Sequence, residues 1–170
     1  MIDSVSKRYS MCGARVGCIV SKNKALIKNT LKFAHLRLSP PTYAFIASEA
    51  ALNISDDYLK NVVGEYSHRR DVLIEQLEKI PNVQVSHPMG AFYCIVKLPV
   101  KDAEDFLKFL LTDFHDNSQT IMLATTSGFY SSPRVGLNEV RIDFILDSKK
   151  LTRAAIIFEK ALEAYSKLVS

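Results

Sequence analysis

The chain has 170 residues, enough for one compact core or for one small domain and part of another. Hydrophobic residues make up 48% and charged residues 24%, with six glycines and six prolines, a composition that excludes a disordered tail. The 22 Lys and Arg residues outnumber the 18 Asp and Glu by +4, but the two signs are interspersed along the chain, which argues against a nucleic-acid-binding stripe.

The first thirteen residues are polar and predict a loop. Residues 14–20, Ala-Arg-Val-Gly-Cys-Ile-Val, predict a short buried strand. Residues 23–38 place Ile27, Leu31, Ala34 and Leu38 at helical spacing, and Ser39-Pro40-Pro41 stops the helix. An alanine-rich helix over 42–52 follows. Asn53-Ile54-Ser55-Asp56-Asp57 then offers cap residues for a long helix to about residue 80, with Leu59, Val62, Val63, Tyr66, Leu73 and Leu77 turned to the core. Pro81-Asn82 ends it and marks the expected domain boundary.

Beyond that point short strands alternate with helices. Strands are predicted over 83–86, 91–98, 121–124 and 139–146, and helices over 103–114 and 149–168. The last helix carries Leu151, Ala154, Phe158, Ala161, Tyr165 and Leu168 as its apolar stripe. Together these elements predict a small α/β layer structure. One predicted strand and two helices leave the first third without sheet partners, as though it belongs to a larger domain.

Cys12, Cys18 and Cys94 form neither a Cys-x-x-Cys pair nor a metal-spaced cluster, and His35, His68, His87 and His115 stand singly. No metal site is expected, and the thiols read as reduced and mostly buried. No apolar run approaches the ~20 residues that span a bilayer, and the start of the chain lacks a signal-peptide core. A cytoplasmic protein is the expectation.

The densest chemical signal is Ser4-Val5-Ser6-Lys7, followed by Gly13-Ala14-Arg15-Val16-Gly17. A serine acyl-transferase would require Ser-Asp-Asn and Lys-Thr-Gly downstream, and neither tripeptide occurs. A lysine nucleophile that condenses with an aldehyde is the other reading. Its cofactor would need a cation for a phosphate group, which Arg15 and the Ser4 hydroxyl could supply on a loop returning into a strand. From the residues alone, a solvated lysine and an arginine paired with a carboxylate are the commoner readings.

The run from Ser4 to Gly17, with Ser-x-x-Lys, an aromatic residue and Gly-x-Arg-x-Gly, resembles the signature of class I aminotransferases, the aspartate aminotransferase-like branch of fold type I pyridoxal-phosphate enzymes. The resemblance implies that Lys7 holds pyridoxal 5'-phosphate as a Schiff base and carries the proton at the substrate α-carbon. It implies equally that Ser4 and Arg15 bind the cofactor phosphate. Asn138-Glu139-Val140-Arg141-Ile142-Asp143-Phe144 is similar to the family's late strand, which makes Arg141 the anchor of the substrate carboxylate. Read without the family, Arg141 and Asp143 are a surface ion pair.

Pro88-Met89-Gly90-Ala91-Phe92-Tyr93 and Ser127-Gly128-Phe129-Tyr130 resemble two further family segments, taken as mainly structural. Ser39-Pro40-Pro41-Thr42-Tyr43 is similar to the segment that approaches the neighbouring subunit in the family's homodimer. The implied architecture is the C-terminal part of a fold type I transferase: residues 1–54 as a remnant of the large cofactor-binding domain, 55–81 as the connecting helix and 82–170 as the small domain. The family's ring-nitrogen aspartate, stacking aromatic and glycine-rich helix start precede its lysine, so this chain is expected to be inactive by itself. The implied reaction moves an amino group from an amino acid to a 2-oxo acid. A carbon-sulfur lyase on the same fold and a non-catalytic interaction module are the alternatives.

Overall fold

The computed structural model describes residues 1–169. Their contacts divide the chain into two units, 1–61 and 62–170.

In the first unit, β1 (Ile2–Ser4) pairs antiparallel with β2 (Gly17–Ile19), and α1 (Val5–Arg8) and a 3-10 turn (Cys12–Ala14) lie between them. The polar loop expected over the first thirteen residues is therefore structured. Backbone pairing accounts for this: the terminal amine donates to the Val20 carbonyl at 2.8 Å, and the Val20 N–H donates to the Met1 carbonyl at 2.9 Å. The expected strand begins at Gly17, not at residue 14, because Ala14 is in the 3-10 turn and Arg15 is left-handed at φ 57°. Cys12 and Cys18 are exposed and only Cys94 is buried, which corrects the expectation of mostly buried thiols.

Helix α2 (Lys24–Arg37) starts at Asn23, whose side chain accepts the Leu26 N–H. Leu38 leaves the helix at φ 63°, so it lies outside the apolar face predicted for it. No residue of α2 is buried. Helix α3 (Thr42–Ala51) buries Ser48 and Ala51, and the Ser48 hydroxyl returns to the Ala44 carbonyl at 2.6 Å.

Helix α4 (Asp56–Leu77) opens with Asp56 and Asp57 in its first turn, where negative charge favours the helix. Its later turns bury Leu73, Ile74 and Leu77 in the second unit, whereas Val63 is exposed because one residue step from Val62 turns it off the apolar face.

The sheet of the second unit has the order β3-β4-β6-β5 and is antiparallel throughout: β3 (Gln84–Val85), β4 (Tyr93–Lys97), β5 (Ala124–Thr125) and β6 (Glu139–Asp143). Strand β4 starts two residues later than predicted because Ala91 is left-handed at φ 64°. Ile121 and Leu123 pack on the core without ladder pairing, which is why hydrophobicity marked a longer strand than β5.

Helix α5 (Ala103–Thr112) is capped by Asp102, which accepts the Glu104 N–H at 2.7 Å. Helix α6 (Ser148–Val169) begins where Asp147 accepts the Lys150 N–H, a bond that also holds the Asp147 carboxyl below its ordinary pKa. One face of the sheet, Cys94, Val96 and Val140, meets Leu73 and Leu77 of α4, Phe106 and Leu110 of α5, and Leu151, Phe158 and Ala161 of α6. Tyr165 completes the stripe with its ring 5.3 Å from that of Phe106, but Leu168 is exposed. Burial pushes the Cys94 thiol up to about 11, so it acts as a small apolar side chain.

Candidate active site

Antiparallel register places Ser4 directly opposite Gly17. A Cβ at position 17 would stand 2.9 Å from the Asp3 carbonyl oxygen and 3.2 Å from Ser4 Cβ, so glycine is what lets the two strands approach here. The Val5 N–H continues the pairing to the Val16 carbonyl at 3.2 Å. Asp3 organises the turn into α1: its carboxylate accepts the Ser4 N–H and an Arg8 terminal nitrogen, each at 2.8 Å. Lys7 lies on exposed α1, between the two halves of this pairing.

Arg15 adopts the left-handed region, which costs a non-glycine residue about 1 kcal/mol or more, and it donates to the Cys12 carbonyl at 2.9 Å. Ser4 and Arg15 line one concavity of about 590 Å³ with Thr30 and a second cation, Arg37. Lys7 is not among its lining residues. The fold thus brings together the two residues expected to hold a phosphate, with the lysine carried on the short helix between them in sequence.

Arg141 belongs to the second unit. Alternation along β6 buries Val140 and sends Arg141 and Asp143 to the opposite face of the sheet. Register sets Tyr93 opposite Asp143. The Arg141 guanidinium carbon lies 5.1 Å from the Tyr93 ring centre and 5.7 Å from that of Phe129, within cation–π range of both. Asp143 Oδ1 approaches Arg141 Nε at 3.2 Å, with both side chains one-third exposed. Arg141 and Asp143 also line a pocket of about 490 Å³ with Met122, Leu123 and Ile145.

Phe129 is carried by a loop that the sheet edge holds in place. Buried Thr126 donates to the carbonyls of Gly136 and Glu139 at 3.3 Å, and the Tyr130 hydroxyl donates to the Glu139 carboxylate at 2.6 Å. That bond raises the Tyr130 pKa above its ordinary value. Gly136 has φ +71°, and a Cβ there would stand 2.4 Å from the Tyr130 ring. Residues that read as structural segments in the sequence, Tyr93 and Phe129, are therefore the walls around Arg141. Their signal in the sequence was the pair of aromatics that closes each segment, Phe92-Tyr93 and Phe129-Tyr130.

The family description "Aminotransferase class I and II" matches residues 1–155. This chain belongs to that family. It is 26% identical over 167 residues to the aspartate aminotransferase of Pyrococcus horikoshii, a match covering 96% of this chain and 41% of that protein. An aminotransferase structure from Staphylococcus aureus superposes with a TM-score of 0.79 at 32% identity, over 95% of this chain and 41% of that one. The alpha-aminoadipate aminotransferase of Thermus thermophilus, solved with N-(5'-phosphopyridoxyl)-L-leucine, shares the fold at a TM-score of 0.83 and 20% identity, over 98% of this chain and 42% of that one. The chain thus spans about two fifths of the length of these aminotransferases, and its fold is that of the corresponding part of fold type I transferases.

Among the described residues, no group of three or more His, Cys, Asp and Glu could hold a metal ion, and no helix is long and apolar enough to cross a membrane.

Proposed function

We propose that the protein carrying this chain is a pyridoxal-phosphate-dependent aminotransferase that moves an amino group from an amino acid to a 2-oxo acid. Membership of the family supports the reading, and so does the pocket shared by Ser4 and Arg15. The donor set fits the cofactor: Arg15 offers a planar cationic fork and Ser4 a hydroxyl for a dianionic phosphate, with Arg37 adding positive charge and the Asp3 carboxylate of the same lining paired with Arg8 at 2.8 Å. When bound, pyridoxal 5'-phosphate supplies an aldehyde to receive the amino group and a conjugated ring to take up electrons released at the α-carbon.

In this reading Lys7 holds the cofactor through its amine and later moves a proton at the substrate α-carbon through Nζ. Arg141 grips the substrate carboxylate, and a two-point hold fixes the direction of the α-hydrogen. Because that carboxylate is common to all α-amino acids, Arg141 selects the class of substrate and not the side chain. The reading takes residues 1–54 as part of the cofactor-binding domain, 55–81 as the connecting helix and 82–170 as the small domain. A homodimer in the cytoplasm belongs to the same reading. The exposed Tyr43, in the segment similar to the family's subunit contact, supports the first, and three cysteines without a disulfide support the second.

Product analysis on the intact protein tests the proposal. The expected result is a 2-oxo acid matched one for one by a new amino acid, with the transfer abolished in Lys7→Ala. Ammonia with pyruvate and no new amino acid would instead establish elimination.

A further inference from the structure

Arg141 sits in a cradle with three walls. The Tyr93 and Phe129 rings lie 5.1 and 5.7 Å from the guanidinium carbon, and Asp143 approaches Nε at 3.2 Å. The Asp143 approach is close but not directed along the N–H bond, so Arg141 Nε and Asp143 Oδ1 are both buried without a hydrogen-bond partner. A buried donor and a buried acceptor left in this state cost stability, and native structures keep few of them.

Glu139 shares the face of β6 with Arg141 and Asp143 by strand alternation, but its carboxylate is engaged by the Tyr130 hydroxyl at 2.6 Å. Asp143 is thus the anion that acts on the arginine. It does so at Nε, the inner arm of the fork. Because Asp143 stands at Nε, the edge formed by the two terminal nitrogens of Arg141 is the one left to hold a carboxylate at two points.

We propose that Asp143 is a positioning residue: its charge beside Nε, with the Tyr93 and Phe129 rings against the guanidinium, turns the Arg141 fork so that both terminal nitrogens face an incoming carboxylate. The inference rests on Arg141 being the carboxylate anchor. It makes a directional claim, since a second anion beside Arg141 would on charge alone repel a carboxylate ligand. Simple competition predicts tighter carboxylate binding when Asp143 is neutralised, whereas positioning predicts weaker binding.

The test is a propionate titration of the full chain labelled with 15N at arginine, read at the Arg141 Nε–H and terminal N–H signals. Asp143→Asn, which keeps the size, and Asp143→Ala are expected to weaken propionate binding on the order of tenfold and to speed rotation of the Arg141 guanidinium, with Asp143→Glu restoring part of both. Weaker propionate binding at an unchanged urea midpoint is the readout that a merely structural role would not produce, and Asp143→Asn keeps the test valid if the alanine variant unfolds. Unchanged or tighter binding in both neutral variants, with Arg141→Ala still abolishing it, overturns the role of Asp143 alone. If Arg141→Ala binds propionate as the parent does, the anchor reading fails and the proposal falls with it.

Discussion

The two units are stabilised by different physics. The second buries Phe106, Phe144 and Phe158 with a set of Leu and Val around a four-stranded sheet. The first buries only Ser48 and Ala51 and keeps its strands through backbone pairing, while Leu31, Phe33, Leu36 and Leu38 are exposed. Apolar surface on that scale is uncommon on an isolated domain. The residues proposed to carry the chemistry follow the same division: Ser4, Lys7 and Arg15 stand on the lightly buried unit, and Arg141 on the one with a core of its own. A local motif can be held by register and glycine without a core, whereas an arginine gripped on three sides needs a packed sheet beneath it.

The contrast is broken most directly by opening the core. Phe106→Ala is expected to destabilise the second unit by about 3–5 kcal/mol, because its ring fills the junction between Phe158 and Tyr165. Leu31→Ala, on the exposed face of α2, is expected to change stability by less than about 0.5 kcal/mol. Urea denaturation followed by circular dichroism checks both, and equal losses would erase the distinction between the units.

A finer comparison uses two glycines. Gly136→Ala meets positive φ and the Tyr130 ring at 2.4 Å, so a loss of about 1–3 kcal/mol is expected, with greater mobility of the Phe129 loop. Gly64→Ala, inside α4 with open space around it, is expected to gain up to about 1 kcal/mol in the same assay.

The smallest effect concerns Asp116, which joins the loop after α5 to α6 through Lys160 at 3.0 Å and Arg153 at 2.7 Å. The hydrogen bond from Lys160, then the ion pair with Arg153, hold its pKa below the ordinary aspartate value. A depressed carboxyl stabilises the fold fully above its unfolded pKa and loses that contribution as pH falls through its folded pKa. Asp116→Asn should therefore lower the urea midpoint at neutral pH and flatten its acid decline, the difference from the parent vanishing at the acid end. Coincident curves would show that the latch contributes nothing, and a constant offset would show that its contribution does not depend on the Asp116 charge.

Much of this was legible in the residues. The spacing of Ile27, Leu31 and Ala34 announced α2, and alternation along β6 put Arg141 and Asp143 on one face. The Ser-x-x-Lys spacing pointed to Lys7, but only the pairing of Ser4 with Gly17 could show that Ser4 and Arg15 share a concavity. Strand β1 escaped notice because it is three residues long and its stability comes from backbone bonds, which leave no hydrophobic period. Tyr93 and Phe129 were legible as aromatics and illegible as walls, since cross-strand register and a pinned loop, not sequence spacing, bring them to Arg141.

Lys7 carries the central claim, and chemical trapping tests it. The intact protein and this chain are each incubated with pyridoxal 5'-phosphate, treated with borohydride and digested for mass analysis. The account predicts a phosphopyridoxyl mark at Lys7 in the intact protein, lost in Lys7→Arg and reduced in Arg15→Ala. A mark spread evenly over surface lysines, or none at Lys7 in either sample, would contradict it.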